Sequence, residues 1–107
     1  MQPIFDFLES PARNRWVAVP GVEVYLRKEY KRIRGMLVFT LTIANVVAVP
    51  EGKGNFKAMM LFLEGLKFNL YVENIHNIKL QDMLSKHGYI LESKDGLLQA
   101  YKLKKNE

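Results

Sequence analysis

The segment Val46-Val47-Ala48-Val49-Pro50-Glu51-Gly52-Lys53-Gly54-Asn55-Phe56, followed by Lys57-Ala58-Met59-Met60-Leu61-Phe62-Leu63-Glu64, constrains this chain more than any other. A β-branched run enters a tight Gly-x-Gly loop, and the loop leads directly into an apolar helix. Backbone amides at such a loop and at a helix N-terminus point outward without intrahelical partners, which suits them to a phosphate or pyrophosphate. The plain alternative is a turn whose glycines supply positive φ.

Spacing narrows the kind of loop. A P-loop needs Gly-x-x-x-x-Gly-Lys-Ser/Thr, but Gly52-Lys53-Gly54 is followed by Asn55 and has no suitably placed earlier glycine. The dinucleotide fingerprint Gly-x-Gly-x-x-Gly/Ala fails because Lys57 stands at its third small position.

A second segment adds to the first. Phe68-Asn69-Leu70-Tyr71-Val72-Glu73 alternates apolar and polar, so it predicts a half-buried strand. In the following stretch Leu80, Met83, Leu84 and His87 fall at helical spacing, with Asn77 placed as an N-cap and Gly88 as the left-handed C-terminal residue.

Together the two segments resemble the GNAT superfamily of N-acetyltransferases. That family's pyrophosphate loop reads Gln/Arg-x-x-Gly-x-Gly/Ala, against Val49-Pro50-Glu51-Gly52-Lys53-Gly54 here; both glycines match and the leading residue does not. Its second motif is roughly Val-x-x-x-Asn-x-x-Ala-x-x-Leu-Tyr-x-Lys-x-Gly-Phe. Asn77, Lys86, Gly88 and Tyr89 keep that register, with Leu80 and Met83 as apolar replacements. The resemblance covers Met36 to Lys104.

The rest of the chain fits the same frame. Pro3–Glu9 predicts a short helix, Trp16–Val19 and Val22–Arg27 predict strands around Pro20-Gly21, and Arg32–Gly35 predicts a turn. Met36–Val49 predicts a long strand with Leu37, Phe39, Leu41 and Ile43 on one side and Thr40 and Thr42 on the other. Asn45 interrupts that pattern where a β-bulge would change the phase. Ser93-Lys94-Asp95-Gly96 predicts a hairpin turn between Ile90–Glu92 and Leu97–Leu103. The expected fold class is α/β (α+β): a mixed sheet of three antiparallel strands, then helix, strand, helix and a closing hairpin. One domain over residues 1–107 is expected.

The resemblance implies acetyl transfer from acetyl-CoA to an amine acceptor, with a protein amine among the options. Backbone groups around Val47 and Val49 would pair with the pantetheine amides. Gly52, Lys53, Gly54 and Asn55 would aim amides at the pyrophosphate, and Asn77 would approach the pantetheine arm. Lys53 reads equally as an exposed loop lysine, and Asn77 as a simple cap. The catalytic groups are less legible. The family's common acid is a tyrosine four residues before the second-motif glycine, and Leu84 stands there. Glu73 is the candidate base, its plain alternative being a solvent-facing strand carboxylate; His76 is a weaker one. The family's first strand and first two helices, which form one wall of the acceptor site, have no counterpart in the sequence. A non-catalytic binding module for CoA or a protein is therefore the alternative reading. Compact versions of the family occur in phage genomes, so the resemblance also permits a phage origin.

Composition bounds the remaining possibilities. With 49% hydrophobic and 25% charged residues the chain reads as an ordinary globular domain. No apolar run reaches the roughly 20 residues of a membrane span. The first residues lack the form of a secretion signal, and there is no cysteine, so a cytoplasmic location without thiolate metal sites is expected. A net charge of +5 raises nucleic-acid binding, but only Arg27–Arg34 is dense and it reads as a solvated hairpin. The helix at Phe56–Leu66 is apolar on nearly every side. Either the N-terminal segment buries the excess or a homodimer interface does.

Overall fold

Period-two alternation folds as a three-stranded meander at the front of the molecule. A computed structural model describes residues 2–48 and 54–104. Helix α1 (Gln2–Glu9) precedes β1 (Asn14–Val19), β2 (Val22–Ile33) and β3 (Met36–Ala48). Then come α2 (Asn55–Gly65), β4 (Asn69–Val72), α3 (Ile78–Lys86), β5 (Ile90–Lys94) and β6 (Leu97–Lys102). The six strands form one sheet in the order β1-β2-β3-β4-β6-β5. All pairings are antiparallel except β3 with β4, which is parallel across the crossover helix α2. The architecture is mixed α/β with a mostly antiparallel sheet.

β2 is longer than the sequence predicts. It continues through Lys28–Ile33 because those residues pair in register with Met36–Leu41. Arg34 and Gly35 close the hairpin at φ 52° and 78°, the positive pair that a tight two-residue turn demands. Asp95 and Gly96 do the same between β5 and β6, at 53° and 79°.

The expected bulge is present one residue from Asn45. Tyr25 pairs with Asn45 and Leu26 with Ile43, so Ala44 is the extra residue on β3. Before it, odd-numbered residues of β3 face the helices; after it, Val46 does.

Three helices among the described residues pack on that same face. Ile4 and Phe7 of α1, Met59, Met60 and Leu63 of α2 and Leu84 of α3 join Val24, Leu26, Leu41, Ile43 and Val72 in one buried cluster. Each such side chain contributes about 1.5–3 kcal/mol. Phe5 of α1 meets Phe62 of α2 edge-on at 5.6 Å, so the N-terminal helix covers part of the apolar surface of α2. Leu61 remains half exposed.

Two residues on the same side of β3 as Leu41 and Ile43 are not core. Leu37 and Phe39 have the right parity but are 62% and 39% exposed, because the helical layer ends before the hairpin does. The opposite face carries no helix among the described residues. There Ile33, Tyr71 and Tyr101 form a small buried cluster of their own, and Thr40 and Thr42 are fully buried with their hydroxyls 3.1 Å apart.

Candidate functional site

Strands β3 and β4 are paired only from Thr40–Ile43 against Asn69–Val72. Glu73 N–H still donates to the Ile43 carbonyl at 3.0 Å, and then the two chains part. Asn74, at φ 56°, turns the backbone away while its side chain donates to the Ala44 carbonyl at 3.1 Å. Ile75 N–H next donates to Leu98 of β6 at 3.1 Å. Beyond Ala44, therefore, β3 runs on beside β2 with no strand on its other edge among the described residues. Val46 N–H is answered by the Asn45 side-chain oxygen at 2.9 Å, and Val47 exposes 46% of its surface.

The N-termini of α2 and α3 both open at this end of the sheet. Gly54 is the N-cap of α2 at φ 70°, a conformation suited to glycine, and no side chain caps the helix. Its carbonyl accepts from Ala58 N–H at 3.0 Å, the first turn of the helix. Asn55 packs its side chain against Gly21 in the β1–β2 turn, where any Cβ would collide with it. Asn77 is the N-cap of α3 in extended conformation, its Oδ1 accepting from Lys79 N–H at 2.7 Å. The cap expected from sequence is thus in place, and it uses one of the two polar atoms that Asn77 carries. Val49, Gly52 and Lys53 lie outside the described residues.

Glu73 projects from the last turn before the parting, onto the face without helices. Lys31 Nζ approaches one of its oxygens at 2.8 Å and Arg27 the other at 3.5 Å. Glu29 joins the same group through Arg27 at 3.5 Å and Lys31 at 3.7 Å. Next to it Tyr71 and Tyr101 lie nearly parallel, centroids 6.4 Å apart. Lys31 sits over the first ring at 4.4 Å and Arg34 over the second at 5.6 Å. Burial and the Glu92 carboxylate, to which its hydroxyl donates at 3.0 Å, push the Tyr71 phenol well above the ordinary tyrosine value. Gln99 contacts the same hydroxyl. This network was not singled out in the sequence. Its signal is the odd-numbered series Tyr25, Arg27, Glu29, Lys31 in β2, polar or aromatic at every second residue.

The other sequence candidates are dispersed. His76 is exposed next to the α3 cap. Leu84, at the position of the family's tyrosine, is fully buried in the core. Tyr89 is buried at the far end of the sheet, donating to Glu64 at 2.9 Å; burial first, then that carboxylate, push its phenol up strongly. Lys102 also reaches Glu64, at 2.8 Å, and the His87 carbonyl at 2.8 Å. A cavity of about 310 Å³ borders Glu64 and Lys102, lined also by Phe68, Leu70 and Leu103. Both oxygens of Glu64 are occupied, so the trio ties α2 to β6 and to the turn after α3.

No helix among the described residues is long and apolar enough to cross a membrane. Compared with known proteins, the chain matches no protein-family model, no curated protein and no solved structure.

Proposed function

We propose that this chain is a GNAT-like N-acetyltransferase that binds acetyl-CoA in the opening between β3 and β4 and transfers the acetyl group to an amine. The parting of these two parallel strands after Ile43 carries the assignment. A parallel pair that splays leaves backbone groups of Asn45–Ala48 able to pair with an amide-bearing ligand. The uncapped N-terminus of α2 at the same end offers amides and a positive dipole to a pyrophosphate. Gly52, Lys53, Gly54 and Asn55 would hold the phosphates, Val47 and Val49 the pantetheine, and Asn77 the mouth of the opening. An acceptor amine would need a base, and Glu73 stands beside the parting with its carboxylate between two cations.

That same pairing favours a second reading. Lys31 and Arg27 occupy the two oxygens of Glu73, so an acceptor amine reaches the carboxylate only by displacing a cation, and Leu84 cannot donate a proton to a leaving thiolate. The alternative is a module that binds CoA or a protein without chemistry, including as a homodimer.

Isothermal calorimetry with acetyl-CoA, followed by a thiol-release assay over an amine panel, tests both readings. Binding with thiol release that Glu73→Gln abolishes is the expected result. Binding without release selects the module. No binding at millimolar acetyl-CoA overturns the assignment.

A further inference from the structure

The far half of the β2–β3 hairpin projects beyond the helical layer and carries a surface unlike the rest of the sheet. Under the helices Leu26 and Leu41 are fully buried, whereas Tyr30 and Phe39, further along the same face, are 66% and 39% exposed. Their rings meet edge to face at 5.1 Å. The chain leaving α1 borders them, so that Pro11, Ala12 and Arg13 form one side of an open groove of about 640 Å³ with Lys28, Tyr30 and Phe39.

The groove is lined by three cations, Arg13, Arg27 and Lys28, against one carboxylate, Glu29. Among the described residues, Arg13 and Lys28 of that lining, and Arg32 two residues beyond Tyr30 on β2, make no ion pair with a carboxylate. The Lys28 ammonium donates to the Phe7 and Ser10 carbonyls at 3.1 and 2.8 Å, and Arg32 to the Gly35 carbonyl at 3.2 Å. Glu29 also lines the groove, but its carboxylate turns to the opposite face, where Arg27 and Lys31 hold it.

We propose that this groove is a docking site for single-stranded nucleic acid. Exposed rings offer stacking surfaces that any base can use, and unpaired cations beside them attract the phosphates between bases. An acidic peptide would satisfy the cations but leave the two rings without matching partners. Double-stranded nucleic acid keeps its bases stacked inside and so cannot use the rings. The groove shares Arg27 and Glu29 with the Glu73 network but none of the residues that would hold the cofactor, and it stands whether or not acetyl-CoA binds.

Fluorescence anisotropy with a labelled oligothymidylate at low salt tests the site. Tyr30→Ala weakens binding about tenfold, and Tyr30→Phe, which keeps the ring, stays within about twofold. The Arg13→Ala/Arg32→Ala pair lowers the slope of log affinity against log salt by about 1.4. Circular dichroism melts confirm that each variant is folded, which exposure of these side chains favours. Three results each overturn the site: no binding at low salt, Tyr30→Ala binding as tightly as the parent, or full displacement by polyglutamate at equal charge concentration.

Discussion

The two faces of the sheet are held together in different ways. One face is sealed by α1, α2 and α3 around Leu41, Ile43 and Leu63, all fully buried, and draws its stability from area removed from water. The other has no helix over it among the described residues and is filled by its own side chains. Lys31 and Arg27 bracket Glu73, Tyr71 stacks on Tyr101, and Arg34 donates to the Tyr101 hydroxyl at 3.1 Å. A sheet face without helices can be filled by charges that pair with one another and by rings that stack. What it gives up is strength per residue, because ion pairs whose side chains retain a fifth to a third of their exposure are screened by water.

Three experiments sharpen or break this contrast. The largest effect is expected on the helical face, where Leu63→Ala should cost about 2–5 kcal/mol in urea unfolding. A loss below about 1 kcal/mol would mean that the helical layer is not the main source of stability. Next comes alkaline titration. Tyr71 and Tyr89 hold their protons in the folded state to higher pH than in the unfolded chain. The stability they contribute is complete below the ordinary tyrosine value of about 10 and is lost as pH rises beyond it. Phenolate absorbance should therefore show two of the five tyrosines ionising only as the protein unfolds. Ionisation of all five near the ordinary value would deny that either hydroxyl is shielded. The smallest effect is Glu73→Ala, expected to cost about 1 kcal/mol or less in the same urea assay. A double-mutant cycle with Lys31→Met would assign that loss to the pair.

Much of the architecture is legible in residues with one local role. Asn77 caps α3, Gly54 begins α2 and Asp95-Gly96 turns the last hairpin, because each position demands a conformation or an acceptor that few residues supply. The reach of the helical layer is not legible. Alternation assigns Leu37 and Phe39 to a side of the strand, but nothing in their own spacing says that the helices stop before reaching them. The polar face was hidden for a related reason. Arg27, Glu29, Lys31 and Glu73 each look like a solvated charge until β2 and β4 are set on either side of β3. Of the expected cofactor contacts, Val47, Gly54, Asn55 and Asn77 lie at one end of the sheet, grouped by the parting of β3 from β4. That grouping depends on a turn at Asn74 with no strong sequence signature.

The extra residue at Ala44 acts as a parity switch. Upstream of it, Leu41 and Ile43 put odd numbers toward the helices; downstream, Val46 pairs with Val24 and even numbers do so. Removing Ala44 would leave Ile43, Asn45 and Val46 in plain alternation opposite Leu26, Tyr25 and Val24, so Val46 would still face the helices and Asn45 the other side. What would be lost is the bend of a bulged strand and the carbonyl that the Asn74 side chain holds. One alanine with no reactive group thus bends β3 at the point where β4 leaves it.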